Sequence, residues 1–156
     1  MVRMLLKLLA YQDDAQTELL PGYWEIEHIF PQTWDSKYYN LDEEEANAKL
    51  EHLGNKLPLE KKLNISASNN YFDKKKGKYK DSKIAICQNL GKSGLEEWNL
   101  ENITEYDLKV CKQIKEIFSK WIEEYEPKDV EAESILTPTP EEEAMINMLR
   151  EKGLIK

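Results

Sequence analysis

Glu27 and His28 stand side by side in the run E-H-I-F-P-Q, and this adjacency constrains the fold more than any other feature of the chain. Neighbours on a β-strand point to opposite faces. The two can therefore serve one site only where a strand ends or twists, and Pro31 just downstream suits such an end. The chain has two histidines, and this one is trailed by Asn55 in L-G-N-K and Asn64 in K-L-N-I. A neutral imidazole titrates near neutral pH and makes a competent general base. Carboxylate and amide oxygens are the donors that hard cations such as Mg²⁺ or Mn²⁺ prefer. The set points to a metal-dependent phosphodiesterase. His28 would take a proton from water, and Asn55 would accept from the other ring nitrogen to fix its orientation. Glu27 and Asn64 would hold an ion against the phosphate.

The rest of the chain supplies a scaffold for that site. Residues 2 to 12 read as a short apolar helix, and Pro21-Gly22 introduces a strand running to Ile29. Asp42 to His52 is rich in Glu, Ala, Lys and Leu and reads as a helix, with Gly54 beyond its end and His52 at its negative dipole end. Leu57 and Leu59 flank Pro58 in a second, short strand, since proline belongs on an edge. The connection between the strands carries Trp34, Tyr38 and Tyr39, a natural place for substrate contacts. Asn69 and Asn70 are expected at a helix start or turn. A helix is expected from about Asn70 to Leu90, broken near Gly77. Trp98 anchors a turn, and Thr104 caps a final helix to Tyr125. In that helix Leu108, Cys111, Ile114, Phe118, Trp121, Ile122 and Tyr125 form the expected core stripe.

The runs E-H-I-F-P-Q, G-N-K-L-P-L and K-K-L-N resemble the HNH, or His-Me finger, nuclease core. The longer string L-G-N-K-L-P-L, L-N-I-S-A-S-N, Tyr71-Phe72, Lys75 and Tyr79 is similar to the C-terminal domain of GmrSD-type modification-dependent restriction enzymes. The resemblance implies an α+β fold, a ββα-metal core with a short antiparallel hairpin surrounded by helices. It implies His28 as general base, Asn55 as its orienting residue, and Glu27 and Asn64 as ligands of Mg²⁺ or Mn²⁺. DNA is the implied partner, within a restriction or phage-defence system. Such domains often accompany an N-terminal nucleotide-hydrolysing domain or separate subunit, and no P-loop G-x-x-x-x-G-K occurs here. Where these domains usually carry an arginine after a tryptophan and an isoleucine, this chain has Trp98, Ile103 and then Tyr106. A catalytically silent nucleic-acid-binding module and a ribonuclease or toxin are the two other readings on the same scaffold.

A formal charge of −8 is unusual for a nucleic-acid enzyme, but it is unevenly spread. Between Lys56 and Lys83 nine lysines face three acids, a local charge of +6. Within this stretch Lys56, Lys61, Lys62, Lys74, Lys75, Lys76, Lys78 and Tyr79 are the expected nucleic-acid contacts. Cys87 and Cys111 form no C-x-x-C, so structural zinc is not expected. The apolar opening from Met4 to Ala10 is too short to span a membrane or serve as a secretory signal, which predicts a cytoplasmic protein. The domains expected are a nuclease over 1–126, an acidic and proline-rich linker over 127–139, and a C-terminal helix over 140–156. Thr139, Pro140 and Glu142 would start that last helix with a capping box. The immediate helical start fits either the C-terminal part of a longer protein or a free-standing subunit.

Overall fold

A computed structural model describes residues 1–35, 41–125 and 139–153. Contacts divide the chain into two units, Met1–Ser119 and Lys120–Lys156. The described residues form an α+β fold of two strands and seven α-helices. They run α1 (Val2–Tyr11), β1 (Trp24–His28), α2 (Glu43–Leu50), β2 (Lys56–Glu60), α3 (Lys61–Ala67), α4 (Phe72–Lys80), α5 (Ala85–Lys92), α6 (Leu100–Tyr125) and α7 (Pro140–Glu151). Tyr38, Tyr39 and residues 127–138 of the expected linker lie outside the described residues.

The strands pair antiparallel, with Trp24 opposite Glu60, Ile26 opposite Pro58 and His28 opposite Lys56. With two strands both are edges, so Pro58 costs no ladder bond on a further neighbour. Its carbonyl accepts instead from the buried Cys87 thiol at 2.9 Å, which ties α5 to β2. The core gathers Leu6 and Ala10 of α1, Leu57 and Leu59 of β2, and Phe72 and Tyr79 of α4, all almost fully buried. Trp98 packs between Phe72 (5.8 Å) and Tyr106 (5.7 Å, edge-on), confirming its anchoring role.

Four expectations about helices need correction. The helix that follows β2 directly is α3, and it carries Asn64, so the strand–strand–helix unit is completed before residue 70. The next helix runs straight through Gly77 and breaks at Ser82. There the Glu60 carboxylate accepts from Ser82 Oγ (2.7 Å) and Lys83 N (2.6 Å), diverting the backbone from its helical partners. The last helix of this unit begins at Leu100, because Asn99 Oδ1 accepts from Glu101 N and Asn102 N at 3.0 Å. Thr104 lies within it, donating back to Leu100 O.

The fourth correction concerns the face of α6 that packs. Leu108 is 70% exposed and Ile122 61%, whereas Ile103, Val110 and Ile117 are buried. Gly54 sets this face. A Cβ there would stand 2.3 Å from Ile103 O, so α6 meets the turn before β2 backbone to backbone. Asp107 caps the contact by accepting from Gly54 N at 2.8 Å and meeting His52 Nδ1 at 3.2 Å. His52 thus serves α6 and lies beyond the end of α2, whose last residue is Leu50.

In the second unit, α7 opens with the expected capping box. Thr139 Oγ1 accepts from Glu142 N, the Glu142 carboxylate accepts from Thr139 N, and Pro140 begins the helix.

Candidate active site

Strand β1 stops at His28 because Asn55 takes hold of the backbone beyond it. The Asn55 carbonyl accepts from Ile29 N (2.9 Å), and its side-chain Oδ1 accepts from Phe30 N (2.7 Å). Its Nδ2 donates to Leu50 O (3.1 Å) and Phe30 O (3.3 Å). The strand end lets two adjacent side chains share one side of the chain. Glu27 and His28 line a single pocket of about 210 Å³, together with Asn64 and Ser68 of the α3 segment, Gln32, Asn69 and Lys75.

Glu27 is 4% exposed and is held from α4. Lys75 Nζ lies 2.8 Å from its Oε1, and Tyr79 donates its hydroxyl to the same oxygen at 2.8 Å. Lys75 also donates to the His28 carbonyl. Burial lowers the Lys75 pKa while Glu27 opposes that shift; burial and the Glu27 charge together push the Tyr79 phenol well up. Among the described residues Glu27 Oε2 has no protein partner, nor does the half-buried side-chain amide of Asn64. Two oxygen donors open to one pocket suit a hard cation that keeps several waters. No three His, Cys, Asp or Glu side chains converge among the described residues; Glu27 and Asn64 are oxygen donors this pocket could offer an ion.

The imidazole of His28 is held by a residue other than the one expected. Asn55 is wholly engaged with Phe30 and Leu50, because their peptide groups lie buried and need partners. The ring contact falls to Glu51, whose Oε1 meets His28 Nε2 at 3.2 Å. Glu51 is in turn bound by the buried ammonium of Lys56, which also donates to the Glu51 carbonyl at 2.7 Å. Burial lowers the His28 pKa below the ordinary imidazole value. The charge of Lys56 adds to that shift and Glu51 opposes it. The Lys56 bond holds the Glu51 carboxyl below its usual range.

Residues 1–121 match the family described as GmrSD restriction endonucleases, C-terminal domain. This chain belongs to that family. Membership implies a restriction-endonuclease-like nuclease whose substrate is DNA. No curated protein and no solved structure matches the chain.

In this GmrSD C-terminal domain the expected basic surface is smaller than its lysine count. Lys56 and Lys75 are buried against Glu51 and Glu27. Lys76 donates to Ser93 O (3.0 Å) and Leu95 O, fastening α4 to the loop beyond α5. Tyr79 is fully buried. None of these four presents a free group to a phosphate backbone. Of the expected contacts, Lys61, Lys62 and Lys74 are exposed and Lys78 is half-buried, so these four stay open to a partner. A sequence signal for the buried pair does exist. Phe72, Lys75 and Tyr79 recur at i, i+3 and i+7, the spacing of an inward helix face. Glu51 carries no such signal. Asn69, expected at a helix start or turn, clamps the loop after β1. Its Oδ1 accepts from Gln32 N (2.8 Å), and its Nδ2 donates to Thr33 O (2.6 Å).

Among the described residues no helix of the GmrSD domain is long and apolar enough to cross a membrane.

Proposed function

We propose that this domain is an HNH-type, metal-dependent endonuclease that hydrolyses DNA phosphodiester bonds, with His28 as general base and Asn64 and Glu27 as ligands of Mg²⁺ or Mn²⁺. The observation that carries the reading is the shared pocket, where an imidazole and two oxygen donors with no protein partner among the described residues converge from β1 and α3. With Glu51 accepting from Nε2–H, the lone pair resides on His28 Nδ1 and is available for a water proton. The lowered pKa of His28 favours the neutral ring that a general base needs. Asn55 acts on the base through the backbone, fixing the strand end that carries it. A divalent ion in this site supplies Lewis-acid stabilisation of the phosphate and the departing oxygen. Lys61, Lys62, Lys74 and Lys78 hold the strand by charge, without reading bases.

The biological setting proposed is a cytoplasmic modification-dependent restriction or phage-defence system. A nucleotide-hydrolysing domain or subunit would supply the energy-dependent step. The test is cleavage of unmodified and base-modified duplex DNA, with RNA alongside, in Mg²⁺, Mn²⁺ or EDTA, by the wild type and His28→Ala. Metal-dependent DNA cutting that is lost in His28→Ala is the expected result. DNA binding without cutting under every condition, with or without the nucleotide-hydrolysing partner, would instead identify a silent binding module.

A further inference from the structure

We propose that the divalent cation enters this pocket together with the DNA phosphate, because Lys75 already balances the one carboxylate that reaches it. The inference rests on the metal-site reading above and concerns the order in which that site assembles. Of the described residues lining the pocket, Glu27 is the sole acid and Lys75 the sole lysine. They lie 2.8 Å apart with side chains 5% and 2% exposed, so water screens neither charge. Outside the pocket Glu51, which meets the His28 ring, is paired with Lys56, although that acid is open to water. The two carboxylates and two ammonium groups around His28 therefore cancel.

Geometry strengthens the point. Lys75 and Tyr79 both take Glu27 Oε1, so a single carboxylate oxygen is left to donate, and chelation through both oxygens is blocked. Lys75 also bonds the His28 carbonyl, which anchors its ammonium to the strand and keeps it from swinging out when a cation arrives. In the bare protein a dication would meet one carboxylate oxygen, one amide oxygen and a fixed positive charge beside them. Sites that hold Mg²⁺ with so few acids complete the ion's shell with waters and substrate phosphate. A DNA phosphate brings both the missing negative charge and further oxygens. The pocket is thus loaded by its substrate, and Lys75 is the positioning residue that makes it so.

The test is Mn²⁺ binding, followed by the electron paramagnetic resonance signal of the free ion. The full chain carries His28→Ala so that a short DNA duplex stays whole, and ion taken up by duplex alone is subtracted. The expected result is weak Mn²⁺ binding by the protein alone, tightened tenfold or more by duplex. Adding Lys75→Met should strengthen binding to the protein alone several-fold and shrink the duplex effect, while Lys75→Arg preserves it. Should Lys75→Met fail to fold, Lys75→Gln retains a donor for Glu27 and the His28 carbonyl without the charge and gives the same readout. Equal affinity with and without duplex overturns the proposal, as does a folded, neutral Lys75 variant whose own Mn²⁺ affinity is unchanged or lower. Mn²⁺ uptake that Glu27→Gln leaves intact, with or without duplex, sinks the metal-site reading itself.

Discussion

Two glutamate–lysine pairs flank His28, and they are built from the same chemistry at different depths. In Glu27–Lys75 both side chains are buried, at 5% and 2% exposure. In Glu51–Lys56 the lysine is similarly buried but the acid is 69% exposed. A buried pair that loses one member strands a charge in low dielectric, at a cost of about 3 to 5 kcal/mol. In the outer pair water screens the acid, and Lys56 keeps its bond to the Glu51 carbonyl when that acid is neutralised, so the loss costs less. The inner pair therefore belongs to the architecture of the strand end, whereas the outer one can yield its grip on the imidazole without unsettling the fold.

The comparison breaks first at Lys75. Lys75→Met should lower unfolding free energy in urea by about 3 kcal/mol, and Mn²⁺ without DNA should restore part of that loss. An equal loss in Glu51→Gln would erase the distinction between the pairs. Asn55→Ala comes next, at about 2 kcal/mol, because it strands the buried Phe30 N–H and the carbonyls that Nδ2 serves. Tyr79→Phe removes one hydrogen bond to Glu27 while keeping the packing, and should cost about 1 kcal/mol.

The smallest effect is a shift in the pH profile. Under the proposed mechanism His28 acts as base only when neutral, and burial has lowered its pKa, so the wild-type cleavage rate should persist below the ordinary imidazole range and then fall with acid. Glu51 opposes that lowering. Glu51→Gln should accordingly move the acid limb to still lower pH at nearly unchanged stability. A limb that stays in place would show that Glu51 acts on the ring by geometry alone.

The pairing of Glu27 with His28 and the spacing to Asn55 and Asn64 make the hairpin and the converging site legible in the amino-acid sequence. Those features are local, and alternation along a strand plus one proline suffices to place them. What stays hidden depends on depth. Lys75, Lys76 and Tyr79 sit in a stretch whose composition reads as a solvated basic face; the spacing of Phe72, Lys75 and Tyr79 hints at an inward face, but only the contacts of α4 with Glu27 and with the loop beyond α5 show where the polar atoms go. Asn55 reads as a partner of the ring because amides serve there in chemistry. Sequence does not reveal that the Phe30 and Leu50 peptide groups are buried and compete for it. The stripe on α6 misleads for a related reason. Periodicity finds an apolar face, but the close approach at Gly54 selects the neighbouring face that actually packs.

The bond from Cys87 to the Pro58 carbonyl has a practical corollary. Burial pushes that thiol far above its usual range, so it neither ionises nor meets a reagent under native conditions. Cys111, on the exposed side of α6, is the other cysteine of the chain. A maleimide dye added to the folded protein should therefore attach at one position. That gives a single-site optical handle on a helix outside the pocket, with no engineering of the sequence.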